Sequence, residues 1–80
     1  MITPAQCRAA RALLKWSQED LAERSGVGVA TIRTFETDAS SPYKRTLKLL
    51  RDALEASGIE FLSPGEVPSS DGGQGVRLRT

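Results

Sequence analysis

Histidine is missing from this 80-residue chain, and cysteine occurs once, at Cys7. Without histidine, the commonest metal ligand and the commonest general base at neutral pH are gone. A lone thiol can form no internal disulfide, and without histidine it can build neither a zinc site nor a Cys–His nucleophile pair. Large side chains are also scarce: Trp16, Phe35, Phe61, Tyr43 and Met1 supply all the rings and the thioether. A core must therefore be assembled mainly from Leu, Ile, Val and Ala. Cores this small often lean on a partner chain, a metal or disulfides. No apolar run approaches the roughly 18 residues that cross a bilayer, and no secretory h-region opens the chain. The expectation is one soluble cytoplasmic unit, with no metal, no cofactor and no enzymatic activity.

What is present is helix-forming and only weakly charged overall. Charged residues make up 26% of the chain and the formal net charge is +1. Residues 1–58 hold nine basic against seven acidic residues, and residues 59–80 hold two against three. A nucleic-acid partner would therefore require the positive charge to be gathered on one face. Composition shifts at Gly58, from Ala, Leu and Arg at helical spacing to Gly, Pro, Ser and β-formers. We read residues 1–58 as a helical domain and 59–80 as a tail.

Thr3, Pro4 and Gln6 announce a first helix, as N-cap, first helical residue and capping-box partner. Cys7, Ala10, Leu13 and Leu14 form its predicted buried face, with Arg8, Arg11 and Lys15 on another. Ser17 caps a second helix over about 18–25, with Glu19 and Asp20 favoured by the helix dipole in its first turn. Trp16 precedes that cap as a hydrophobic staple, and Gly26 ends the helix. After Val27, Gly28 caps a third helix from Val29 to Glu36 or Thr37. Ile32 and Phe35 face inward; Val29, Ala30, Arg33 and Thr34 face out. A turn over 38–42 leads to a fourth helix over 44–57 with a Leu47, Leu50 and Leu54 stripe. Lys48–Asp52 and Arg51–Glu55 are placed to pair at i, i+4. The runs 59–62 and 75–79 alternate as strands and predict an antiparallel hairpin, with Ile59, Phe61, Val76 and Leu78 against the helices. The 63–74 connection reads as a mobile loop.

Two short helices joined by a glycine-containing turn make a helix-turn-helix. Ala22 is small where the helices cross, Gly26 permits the turn, Val27 plugs the angle, and Ile32 locks the second helix onto the first. The short outward residues of that second helix let it sit deep in a major groove. Gln18, Leu21-Ala22, Gly26-Val27, Ile32 and Glu36 at these offsets resemble the phage repressor/Cro-type helix-turn-helix family, the XRE-like regulators, over residues 3–58. The resemblance implies a four-helix, mainly α DNA-binding domain. It places Gln18 on the DNA backbone and Val29, Ala30 and Thr34 among the base readers. Gly28, Thr31 and Arg33 lie on the same DNA-facing segment. It also implies an ion pair between Arg11 and Glu36. Two departures stand out: Thr37-Asp38 replaces the usual glycine after that acid, and a strand-like tail replaces the fifth helix.

Bland roles stand beside these. Arg33 can read guanine, hold a phosphate, or pair with Glu36 or Thr37. Lys44 and Arg45, just after the turn, can meet phosphate or merely start a solvated helix. Lys48 and Arg51 read as solvated salt-bridge partners, Cys7 as a small core residue, and Trp16 as core.

The leading expectation is a sequence-specific, double-stranded DNA-binding transcriptional regulator without cofactor. It would bind a palindromic operator as a homodimer joined through its hairpin, with a monomer or a dimer through the fourth helix as competing arrangements. The alternative is an antitoxin or protein-interaction module on the same scaffold, holding a partner protein with its C-terminal tail.

Overall fold

The computed structural model describes residues 2–39, 42–62 and 75–78. Four helices come first: α1 (Pro4–Leu14), α2 (Gln18–Ser25), α3 (Val29–Glu36) and α4 (Lys44–Ala56). Strands β1 (Ile59–Leu62) and β2 (Gly75–Leu78) follow and pair antiparallel, with Ile59 opposite Leu78 and Phe61 opposite Val76. This is the mainly α architecture with a hairpin that the sequence predicts. Ser40 and Ser41 of the predicted turn, the predicted 63–74 loop, and Arg79 at the predicted end of the second strand lie outside the described residues.

Capping chemistry sets where the first two helices begin. The Gln6 N–H donates to Thr3 Oγ1 at 3.1 Å, while the Thr3 N–H donates to Gln6 Oε1 at 3.0 Å. Ser17 and Asp20 exchange the same two bonds at 3.0 and 2.9 Å. These boxes satisfy N–H groups that the helix itself cannot.

Left-handed residues set where helices end. Gly26 takes φ 77° and Gly58 takes φ 103°, as their positions predict. Lys15 and Asp38 adopt the same region without being glycine, at φ 59° and 62°. Asp38 thus does the work of the glycine that the family pattern would supply. The Asp38 N–H donates to the Phe35 carbonyl and the Ala39 N–H to the Thr34 carbonyl, at 3.1 and 2.9 Å, which closes α3 in a Schellman motif. Aspartate tolerates this conformation better than most side chains.

The core gathers Ile2, Cys7, Ala10, Leu21, Val27, Ile32, Phe35, Leu50, Leu54 and Ile59. One predicted core residue is displaced: Leu13 is 43% exposed. Cys7, Ala10 and Leu14 define the middle of the inward stripe of α1, and Leu13 falls on its flank. Trp16 packs against the core as expected, with the Arg24 guanidinium 5.0 Å from its ring centroid.

The hairpin joins this core unequally. β1 continues directly out of α4 and carries Ile59 to complete burial, whereas β2 lies one strand further out, against α1. Phe61 and Val76 are half-buried, but Leu78 stays 40% exposed, contrary to its predicted inward place. Gln6 ties the sheet down: its Nε2 donates to the carbonyls of Leu62 and Gly75, one on each strand, at 3.3 and 3.2 Å. Arg51 places its guanidinium over the Phe61 ring, 5.3 Å from the centroid, while pairing with Glu55.

Candidate nucleic-acid interface

The geometry of α3 is governed by Glu36, its last residue. The side chain is 2% exposed, so its carboxylate needs donors to replace water. Four arrive. Arg11 Nη2 donates to Oε1 and Arg11 Nε to Oε2, each at 2.7 Å, in a two-point fork. Gln18 Nε2 donates to Oε1 and the Cys7 thiol to Oε2, each at 3.1 Å. Arg11 Nη1 donates to the Trp16 carbonyl at 3.0 Å, and Arg8 Nη1 donates to the backbone carbonyl of Glu36. One carboxylate thereby joins α1, α2 and α3. The Arg11–Glu36 pair is present as the resemblance implies.

Burial pushes the Glu36 carboxyl up, but the hydrogen bonds from Arg11, Gln18 and Cys7 outweigh it and hold the group below its ordinary value of 4.5. Burial, then the hydrogen bond to Glu36, pushes the Cys7 thiol far above its ordinary 9.0. These shifts bracket a window of stability. Glu36 binds protons less readily in the folded chain, so its contribution is complete above about pH 4.5 and fades as pH falls through its lowered folded value. Cys7 stays protonated when folded but ionises when unfolded, so stability also declines as pH rises past 9.0. Thermal melts across pH should therefore show two limbs. Glu36→Gln should flatten the acid limb and Cys7→Ala the alkaline one; limbs unchanged in these variants would assign them to other groups.

With Ile32, Phe35 and Glu36 turned inward, Ala30, Thr31, Arg33 and Thr34 form the exposed side of α3, and Val29 is half-buried. Arg33 does not pair with Glu36, because that carboxylate is buried and already occupied by other donors. No side-chain partner holds the Arg33 guanidinium among the described residues. Lys44 and Arg45 are exposed on the first turn of α4. Gly28 and Tyr43 precede α3 and α4 without any side-chain cap, unlike the boxed starts of α1 and α2. The first turns of the two helices that carry the candidate contacts thus keep backbone N–H donors for an outside acceptor. Lys48 and Arg51 are spent on Asp52 and Glu55 at 2.9 and 3.0 Å.

Gln18 is the predicted site residue with an unforeseen second task. It is half-buried, and its amide serves Glu36 rather than pointing wholly outward. Sequence reasoning also missed Cys7 and Arg8 as members of the Glu36 cluster. The signal available was positional: Arg8 precedes Arg11 by three residues, and Glu36 follows the inward Ile32 by four. Among the described residues, no group of side chains could hold a metal ion and no helix is long and apolar enough to cross a membrane.

No curated protein matches the chain. A family model described as Helix-turn-helix matches residues 8–61, which run from within α1 through α4 and into β1. By that match, and by the helix pair it covers, the chain belongs to the XRE-like family of helix-turn-helix DNA-binding regulators.

Proposed function

We propose that the protein is a sequence-specific transcriptional regulator that lays α3 in the major groove of double-stranded DNA. The observation that carries this reading is the contrast between the two sides of α3. One side is locked to α1 and α2 through Glu36, while the other exposes Ala30, Thr31, Arg33 and Thr34. A helix held so rigidly and so bare of bulky side chains suits a groove about 12 Å wide. Phosphate contacts come from the backbone N–H of Gln18, the uncapped start of α3 at Gly28 and Val29, and Lys44 and Arg45. Residues 1–58 act as the DNA-binding part and 59–80 as the tail, in the cytoplasm where the DNA is.

We further propose that it binds as a homodimer. Among the described residues the sheet has two strands, so each has an edge with no strand beside it, and an edge invites another strand. An identical hairpin across a two-fold axis satisfies it and sets two copies of α3 toward half-sites about 34–36 Å apart on a palindromic operator. Sedimentation of the intact chain at tens of micromolar should give a dimer. A monomer that binds DNA one per half-site would count against it.

The direct test is binding to random duplex DNA at two salt concentrations. Affinity should fall steeply, with a log–log slope of about −0.9 per phosphate contacted. Lys44→Ala or Arg45→Ala should weaken all sequences alike and reduce the slope by about one, whereas Arg33→Ala should cost about 1–3 kcal/mol at particular base positions. Binding that is absent, or indifferent to salt, would favour a protein-interaction role for the scaffold instead.

A further inference from the structure

Thr34 of α3, and Thr37 at the cap that follows it, turn their hydroxyls back onto the helix. Thr34 Oγ1 donates to the carbonyls of Ala30 and Thr31 at 3.2 and 3.1 Å. Thr37 Oγ1, on the next turn, does the same to Arg33 and Thr34 at 3.1 and 3.2 Å. A hydroxyl has one proton. Once that proton is given to the helix, the residue has no donor left for a base edge; its oxygen can still accept, and its methyl group is the apolar contact it presents. Ala30 precedes Thr34 by four residues, so its methyl lies in line with that of Thr34 along the exposed face. Arg33, beside them, retains its full set of donors among the described residues.

From this arrangement we propose that the protein reads its site chiefly through methyl groups, with Ala30 and Thr34 packing on thymine C5-methyls next to a guanine taken by Arg33. The proposal rests on the DNA reading above and adds the base chemistry to it. In the major groove only the A·T pair carries a methyl, on thymine, and only guanine offers the O6/N7 acceptor pair that a guanidinium fits in two-point fashion. A threonine with its proton committed cannot compete for that acceptor pair, so the two kinds of contact divide cleanly between neighbouring residues.

The experiment begins with the preferred duplex, selected by the intact protein from a random pool. Each thymine in it is then replaced singly by deoxyuridine, which removes the methyl and leaves every hydrogen-bonding group in place. At one or two positions affinity should drop about three- to fivefold, the effect of one buried methyl group. Thr34→Val keeps a methyl and discards the hydroxyl; it should bind within about twofold of the parent and keep the deoxyuridine penalty. Thr34→Ser keeps the hydroxyl and discards the methyl; it should lose a similar three- to fivefold and show no further penalty at that thymine. Thr34 is exposed, so both variants should melt like the parent. Deoxyuridine without effect at every thymine, or a Thr34→Val protein that loses selectivity while Thr34→Ser retains it, overturns the methyl readout while leaving DNA binding intact. Failure of the parent to bind random duplex in a salt-dependent way overturns the DNA reading, and this inference with it.

Discussion

Glu36→Ala is expected to lower the unfolding free energy by about 3–5 kcal/mol, the usual cost of breaking a buried ion pair from one side. Domains have only about 5–15 kcal/mol in total, and one this short sits low in that range. The variant should therefore be substantially unfolded near physiological temperature. The reason is specific to the cluster. Removing the carboxylate leaves the Arg11 guanidinium, 19% exposed, facing the space that held its partner. It also strips an acceptor from Gln18 and from the buried Cys7 thiol. Substituting both ends tests the account. In an Arg11→Met, Glu36→Leu double variant neither charge is stranded, and apolar replacements of similar volume often cost little. It should be more stable than either single variant. Denaturant titration of the four proteins measures this, and a Glu36→Ala curve that overlays the parent would show that the pair contributes nothing. DNA binding should not recover with stability in the double variant, because Gln18 and the end of α3 lose the carboxylate that joins them.

The second large effect is expected from a residue outside the four helices. Ile59 is fully buried although it opens a two-stranded hairpin, so Ile59→Ala should cost about 2–4 kcal/mol, as for a core aliphatic residue. Its cross-strand neighbour Leu78 is 40% exposed, and Leu78→Ala should stay within about 0.5 kcal/mol of the parent. The contrast matters because an isolated hairpin is marginal in water. If Ile59→Ala behaved like Leu78→Ala, the hairpin would be an appendage and not part of the core. A chain cut after Gly58 would also lose Ile59, so such a truncation tests folding before it tests association. Point substitutions on the strand edge are the cleaner way to examine dimerisation.

The helices were legible because their signals are local. Thr3 with Gln6, Ser17 before two acids, and glycine at 26 and 58 mark boundaries through chemistry within four residues of the chain. The i, i+4 pairs of α4 follow from spacing on one helix in the same way. The antiparallel hairpin was legible because both runs alternate, which sets the residues that share a side but not the register between the strands. Leu13 and Leu78 were misplaced for the opposite reason. Each lies at the margin of an apolar set, and whether a margin is covered depends on how far the neighbouring element reaches.

The candidate site divides along the same line. The exposed set on α3 and the Arg11–Glu36 pair could be named beforehand, since helical spacing and the family pattern both point to them. What Glu36 gathers around itself could not. Cys7 and Gln18 stand 29 and 18 residues away in the chain, and no local rule relates them to it. Nor does the capping box at Gln6 disclose that the same amide reaches Leu62 and Gly75.

By itself, then, the order of residues determined the four helices, their caps, the outward face of the third and the pairing of the strands. Those features depend on hydrogen bonds and periodicities that close over a few residues. Tertiary structure alone decided that one buried carboxylate would bind three helices together, and that Ile59 rather than Leu78 would be fully buried. These depend on the burial of groups far apart in the chain, where the loss of water makes each unpaired charge or unfilled space costly and so selects the one arrangement that leaves none.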